Sequence, residues 1–433
     1  MTPIQQQSLP AVLDGKDVKA QAKTGSGKTA AFGIGLLHQL DAQTYQAQAM
    51  VLCPTRELAD QVSKEIRRLA RPIANTKILT LCGGAPIGPQ FASLEHQPHI
   101  VVGTPGRILK HLDKGTLKLN SLKMLVLDEA DRMLDMGFHD DIMRIIDKAP
   151  VQRQTLLFSA TYPDEINAIS KSIQNDPVDI HVESLHDNKN IKQIFYEIEK
   201  GKRTEALVAL LRHYRPRSRV VFCNRKLQCD ELAIDLNQQG FNALALHGDL
   251  EQKERDQVLV QFSNNSIPIL IATDVAARGL DIKDLHAVIN YELSPDPEIH
   301  IHRIGRTGRA GSEGLALSIF ATSEAPKVNA IEDYQNAPVT IEEISSLKLQ
   351  DTIKPAPAMV TLRISSGRKD KIRAGDILGA LTKNTKLPGK LIGKIDIFDT
   401  VSYVAVEQSI ARQALKVLSE GKIKGRRFKV HKL

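Results

Sequence analysis

Residues Ala22 to Thr29 read Ala-Lys-Thr-Gly-Ser-Gly-Lys-Thr and run into an apolar, helix-like stretch from Ala30 to Leu40. This is the chemistry of a phosphate cradle. Thr24, Gly25, Ser26 and Gly27 make a loop of small residues whose backbone N–H groups can close on phosphate oxygens. Lys28 adds a point charge at the terminal phosphates, Thr29 offers a hydroxyl to Mg²⁺, and the helix N-terminus contributes its dipole. Ala22 stands where the general pattern G-x-x-x-x-G-K-[ST] has its first glycine.

The surroundings suit such a loop. Residues 1–183 alternate short apolar runs with longer amphipathic ones. Ala49 to Cys53, Lys77 to Cys82, His99 to Val102, Lys123 to Asp128 and Gln154 to Ser159 have strand length, and Arg56 to Arg71 carries Leu58, Val62, Ile66 and Leu69 on one helical face. The pattern predicts a parallel sheet covered by helices, in which ligands bind beyond the carboxyl ends of strands. Pro54 to Leu58, Thr104 to Arg107, Asp128 to Asp131 and Ser159 to Thr161 fall at those ends. Asp128 closes a buried strand with the carboxylate that a phosphate-bound Mg²⁺ requires. Glu129 beside it can orient and deprotonate an attacking water.

A second α/β unit, residues 191–345, follows a polar linker. Arg219 to Cys223, Ala243 to Leu246, Ile267 to Ala272 and His286 to Asn290 read as strands, with a helix over Glu251 to Phe262. It has no phosphate loop. It has Ala272 to Asp281, and His302-Arg-Ile-Gly-Arg306-Thr-Gly-Arg309. Arg306 and Arg309, three apart among glycines, suit a γ-phosphate, where an arginine finger is worth about 10³–10⁵ in rate. With a cradle in one unit and arginines in the other, ATP is expected to be completed only when both close.

Charge separates a third unit, residues 359–433. From residue 355 onward there are 17 Lys and Arg against 6 Asp and Glu, a balance of +11, whereas the whole chain carries only +8. All the basic excess therefore lies in the last fifth, the electrostatic footprint of a nucleic-acid partner. Trp is absent and aromatics are 4%, so backbone contacts should outweigh base stacking. The four cysteines form no C-x-x-C pair and read as core thiols rather than a zinc site. No apolar segment reaches transmembrane length and no signal-like segment leads the chain, so the expected setting is cytoplasmic, without a membrane partner.

These segments, in this order, resemble the DEAD-box ATP-dependent RNA helicases across residues 1 to about 345, down to the literal Asp-Glu-Ala-Asp at 128–131. The resemblance implies two tandem RecA-like parallel-sheet domains that use ATP and Mg²⁺, grip single-stranded RNA and open short duplexes locally. It assigns Gln5 to the adenine, Asp281 to the ribose, and Asp131, Ser159 and Thr161 to coupling hydrolysis with unwinding. It places Arg56, Gly84, Thr104, Gly106, Arg107, Gln252 and Thr273 on the RNA side. It also implies a stretch before Thr2 bearing an aromatic that packs on the adenine, so the natural chain is expected to start upstream of Met1.

Residues 359–433 resemble the RNA-binding domain of the bacterial DbpA-type helicases, and their pattern fits an RRM-like α/β domain. Val360 to Ile364, Leu391 to Ile397, Ser402 to Val406 and Arg427 to Val430 read as strands; Arg373 to Leu381 and Ser409 to Leu418 read as helices. Tyr403 is the single candidate for stacking a base on the sheet. Two basic clusters, with Arg368, Lys369 and Lys371 in one and Lys424 and Arg426 in the other, suit a folded RNA held by its phosphates. The resemblance implies a hairpin of 23S ribosomal RNA in large-subunit assembly, bound by a monomer. A DNA helicase would be stimulated equally by DNA, and an ATP-gated clamp would not turn over repeatedly.

Overall fold

The computed structural model describes residues 1–22, 26–162, 164–182, 190–277, 285–308, 313–348, 357–383 and 387–433. They fall into two compact units, one within residues 1–186 and one within residues 187–433.

The first unit is built on seven strands: β1 (Val18–Gln21), β2 (Ala49–Leu52), β3 (Ile78–Leu81), β4 (Ile100–Gly103), β5 (Met124–Asp128), β6 (Gln154–Ser159) and β7 (Val178–His181). They lie in the order β3-β4-β2-β5-β6-β1-β7, and every pairing is parallel. Parallel strands need crossover helices, which cover both faces; hence β2, β4 and β5 are buried at every position and read as unbroken apolar runs. Successive residues feed opposite cores. Ala49, Val51, Val126 and Phe158 enter one, and Met50, Leu52, Leu125, Leu127 and Leu157 the other. Helix Arg56–Leu69 begins on Thr55, whose hydroxyl accepts from Leu58 N–H at 3.3 Å, and turns Leu58, Val62 and Ile66 inward.

The second unit repeats the plan. Its strands are β8 (Ile191–Ile198), β9 (Arg219–Phe222), β10 (Ala243–Leu246), β11 (Ile269–Ala272), β12 (Ala287–Asn290), β13 (Gly314–Ala321) and β14 (Thr340–Glu343). Their order is β10-β11-β9-β12-β13-β8-β14, again all parallel. Each strand occupies the place of the strand seven earlier in the first sheet. The expected parallel sheets are both present, but β1, β7, β8, β13 and β14 went unread from sequence. Several are amphipathic: Asp179 and His181 are exposed on β7, and three of the four residues of β14 are exposed.

The same unit carries the C-terminal domain, β15 (Met359–Ile364), helix Ala374–Thr382, β16 (Ile392–Ile397), β17 (Ser402–Glu407), helix Ala411–Glu420 and β18 (Val430–Lys432). Its four strands pair antiparallel in the order β16-β17-β15-β18, an RRM-like α/β arrangement. The last strand begins at Val430 rather than Arg427, because Ile423 to Arg426 first closes its own tight turn.

Candidate functional site

The carboxyl ends of β1, β5 and β6 lie side by side, with Gln21 paired to Ser159 and Asp128 to Phe158. Lys28 opens helix Lys28–His38, and Gly27 before it has φ +98°, a left-handed conformation open to glycine. A Cβ there would meet Gln5 Nε2 at 2.6 Å and Thr2 Oγ1 at 2.8 Å. The fit is close because the Gln5 amide donates to the Gly27 carbonyl at 3.2 Å and accepts from Thr2 N–H at 3.0 Å. The residue assigned to the base is thus fastened to the phosphate loop.

Lys28 and Asp128 are 5% and 2% exposed, and the ammonium is 3.7 Å from the nearer carboxylate oxygen. Neither Lys28 Nζ, Asp128 Oδ1 nor Ser26 Oγ has a hydrogen-bond partner. Buried polar groups left this way are costly, and the donor set fits an anion and a hard cation between them. Burial pushes the Asp128 carboxyl up to about 6; Lys28 pulls against this and Glu129 adds to it. Lys28, Thr29 and Ser26 could hold the phosphates, with Thr29 and Asp128 on the metal.

Glu129 is a non-glycine residue at φ +54°, which re-aims its side chain as β5 gives way to helix Ala130–Asp135. Its carboxylate pairs with Arg132. Asp131 then binds the next segment: its Oδ2 accepts from Ala160 N–H, Thr161 N–H and the Thr161 hydroxyl, each at 3.2 Å, while Asp131 N–H donates to Ser159 Oγ at 3.2 Å. The three residues assigned to coupling are brought into direct contact.

The candidate RNA side occupies the other half of the same sheet edge, after β2, β3 and β4. A Cβ on Gly84, at φ +70°, would lie 1.9 Å from Arg56 Nη1. Arg107 donates to Gln90 Oε1 at 2.8 Å and to the Ala85 carbonyl at 3.0 Å, and Thr104 N–H donates to Leu81 O at 3.1 Å. Arg56, Gly84, Thr104, Gly106 and Arg107 therefore gather beyond three adjacent strand ends, in loops and first helical turns.

In the second unit Thr273 precedes the short helix Asp274–Ala277, and Gln252, at the start of helix Gln252–Ser263, donates to Asp256 at 2.7 Å. Arg306 is buried just beyond helix Pro297–Ile304. Sequence reasoning passed over Arg303. Its guanidinium, inside the protein, makes five hydrogen bonds: two to Asp274 (2.6 and 2.7 Å), and one each to Asn290 Oδ1 (3.2 Å), the Glu292 carbonyl (2.7 Å) and Asn224 Oδ1 (2.8 Å). The signal was present, since three arginines rather than two lie between His302 and Gly311, and Asp274 follows Thr273. Thr24, Gly25, Asp281 and Arg309 lie outside the described residues.

In the C-terminal domain Lys424 and Gly425 both have positive φ, and Ile423 and Arg426 exchange backbone hydrogen bonds, as in a two-residue type I′ turn. The turn sends Lys424 Nζ to the Lys371 carbonyl at 2.9 Å, so the two basic clusters become one exposed surface with Arg368, Lys369 and Arg426. Tyr403 lies elsewhere. It is 3% exposed and set edge-on to Phe398, with ring centroids 5.6 Å apart, so in this arrangement it offers no face to a base.

Three family models match this chain: DEAD/DEAH box helicase over residues 2–169, helicase conserved C-terminal domain over 202–311, and DbpA RNA binding domain over 361–432. The chain is 54% identical over 440 residues to the ATP-dependent RNA helicase DbpA of Escherichia coli K12, covering all of this chain and 94% of that one. It belongs to the DEAD-box ATP-dependent RNA helicases, DbpA type. The helicase is also 45% identical over 333 residues to ATP-dependent RNA helicase CshA of Listeria monocytogenes, covering 77% of this chain and 64% of the relative. Among solved structures, Saccharomyces cerevisiae Dbp5 bound to RNA and ADP BeF3 matches with a TM-score of 0.71 at 30% identity, over 79% of this chain and 90% of that one. The helicase uses ATP and binds RNA. Among the described residues no helix is long and apolar enough to cross a membrane.

Proposed function

We propose that this helicase hydrolyses ATP with Mg²⁺ at Lys28, Thr29, Asp128 and Glu129, with Gln5 on the adenine, Asp281 on the ribose and Arg306 and Arg309 toward the γ-phosphate. The same reading gives it a C-terminal tether that holds a hairpin of 23S ribosomal RNA during large-subunit assembly, in a cytoplasmic monomer. Arg56, Gly84, Thr104, Gly106, Arg107, Gln252 and Thr273 take the strand to be opened; Arg368, Lys369, Lys371, Lys424 and Arg426 take the tethered hairpin. The observation that supports the tether is the bond from Lys424 to Lys371, which joins two separate basic clusters into a single basic surface of the kind that suits phosphates.

The mechanism follows from the residues. The unpartnered Lys28 ammonium neutralises the terminal phosphates, Asp128 would hold the cation, and Glu129 takes a proton from the attacking water. Mg²⁺ supplies charge neutralisation at the phosphates when bound. The Asp131 carboxylate bonds directly to the Ala160–Thr161 backbone, so displacement of one segment displaces the other.

The test is steady-state ATP hydrolysis with no nucleic acid, with large-subunit ribosomal RNA, with unrelated RNA and with DNA of the ribosomal sequence. Strong stimulation by ribosomal RNA, weak by unrelated RNA and little by DNA is expected, and deleting residues 355–433 should erase the ribosomal preference. Equal stimulation by unrelated RNA would overturn the tether.

A further inference from the structure

Gln21 ends β1, one position before the phosphate loop opens at Ala22. Its strand runs between β6 and β7, and Gln21 is paired with Ser159 on one side and with His181 on the other. The backbone ties this point to the next strand end, because Ala22 N–H donates to Ser159 O at 2.9 Å. The side chain makes a more selective contact. Gln21 Nε2 donates to the Ala160 carbonyl at 3.1 Å.

That carbonyl belongs to the same peptide group as the Thr161 N–H, which donates to Asp131 Oδ2 at 3.2 Å. A trans peptide is planar, with its C=O and N–H pointing in opposite directions. Gln21 and Asp131 therefore grip the Ala160–Thr161 peptide from opposite sides. One reaches it from the strand of the phosphate loop, the other from helix Ala130–Asp135 beyond Asp128. Turning this peptide breaks both bonds.

The partners of the Gln21 amide fix its orientation. A carbonyl oxygen can only accept, so the amide nitrogen faces Ala160 and Oε1 is left for His181, whose Nδ1 lies 3.0 Å away and donates to it. The other nitrogen of that ring is 3.1 Å from Asp179 Oδ1, and Asp179 Oδ2 pairs with Lys19 at 2.7 Å. Lys19 Nζ lies over the Tyr162 ring, 5.2 Å from its centroid, and Tyr162 follows Thr161 in the chain. The contacts close a circuit around the end of β1. An amide of this reach can donate to Ala160 and accept from His181 at once, whereas a carboxylate of the same shape cannot donate.

We infer that Gln21 is a positioning residue of the helicase reaction. It holds the Ala160–Thr161 peptide to the phosphate-loop strand, so that a change at the ATP cradle reaches this segment from β1 as well as through Asp131. The inference rests on the role in coupling hydrolysis to unwinding proposed for Asp131, Ser159 and Thr161.

Gln21→Met, Gln21→Glu and Thr161→Val, each made in the full chain, are compared with the native protein on a short RNA duplex flanked by single-stranded RNA. ATP hydrolysed and duplex opened are followed in the same reaction. Gln21→Met should keep kcat and KM for ATP close to native and consume about tenfold more ATP per duplex opened, the worth of a lost hydrogen bond or two. Gln21→Glu should be uncoupled as well, since it keeps the shape and loses the donor. Combined with Thr161→Val, which loses a second bond on the same segment, Gln21→Met should be no worse than the more severe single variant. Hydrolysis and unwinding that fall together in Gln21→Met would overturn the inference, because a general loss of structure gives that result. A Gln21→Glu protein with the native ratio would also overturn it, because donation to Ala160 would then not be the cause. If Thr161→Val is uncoupled and Gln21→Met is not, the inference fails while the coupling role stands. If Gln21→Met is uncoupled and Thr161→Val is not, Thr161 leaves the coupling set and the Gln21 assignment holds. Native ratios in both would overturn the two together.

Discussion

Two buried cations divide the molecule into a part that waits and a part that is finished. Lys28, at the edge of the first sheet, has no hydrogen-bond partner for its ammonium, and its nearest carboxylate oxygen is 3.7 Å away and likewise unpartnered. Arg303, at the corresponding edge of the second sheet, makes five hydrogen bonds, as many as a guanidinium has N–H donors. The two sheets have the same strand order, so topology does not explain the difference. One edge leaves buried polar groups without partners, at a cost to the fold. The other uses its polar groups to hold the segment that carries Arg306. A shared scaffold therefore says where a site can be; the satisfaction of its polar atoms is what sets the two edges apart.

The contrast can be broken in several places. Arg306→Ala should cut ATP turnover by about 10³–10⁵, measured by steady-state hydrolysis. If turnover survives, the finished edge serves the fold alone. Arg303→Met strips a buried pair of one member and strands Asp274; unfolding by denaturant should show a loss of about 3–5 kcal/mol. Lys28→Met should lower turnover by about 10²–10³ without lowering the midpoint of the ligand-free protein, because no hydrogen bond is lost. A strongly destabilised Lys28→Met would mean that the ammonium already supports the fold.

The smallest effect is a dependence on pH. His300, buried in the second unit against the Phe195 ring, with Asn290 and Arg303 nearby, is lowered to about 3 by burial and by the Arg303 charge. A histidine depressed in the folded state contributes stability that is present above its unfolded value near 6.5 and is lost as pH falls from there toward 3. His300→Gln should flatten that acid limb in a melting series from pH 7 to pH 4. An unchanged limb would assign the acid sensitivity to other groups.

Much of this was legible before the fold was known. The phosphate loop, the Asp128 to Asp131 run and Ser159 to Thr161 sit at strand ends in sequence because the chemistry demands those residue types there. The bond from Asp131 to Thr161 itself was not visible, since it joins two loops across neighbouring strands. Arg303 was hidden for a related reason. A run of arginines shows charge, whereas its partners Asn224, Asp274 and Asn290 come from three separate strand ends. Tyr403 was expected to be the one residue that could stack a base on the sheet. Its burial depends on residues packed around it in three dimensions, which alternation along β17 does not record. The unread strands β7 and β14 lie at sheet margins, where one-sided burial weakens the apolar signal.

The tight turn at Lys424-Gly425 carries one more message. Its first position holds a side chain with a left-handed backbone, a place where asparagine, aspartate or glycine sits with less strain, and Lys371, which it touches, is left-handed as well at φ +60°. Folding alone would favour replacement at both. Lysine at the two adjoining positions keeps charge on this surface against the preference of the backbone, so Lys424→Asn should yield a protein that melts later and, if the surface holds RNA as proposed, holds it less well.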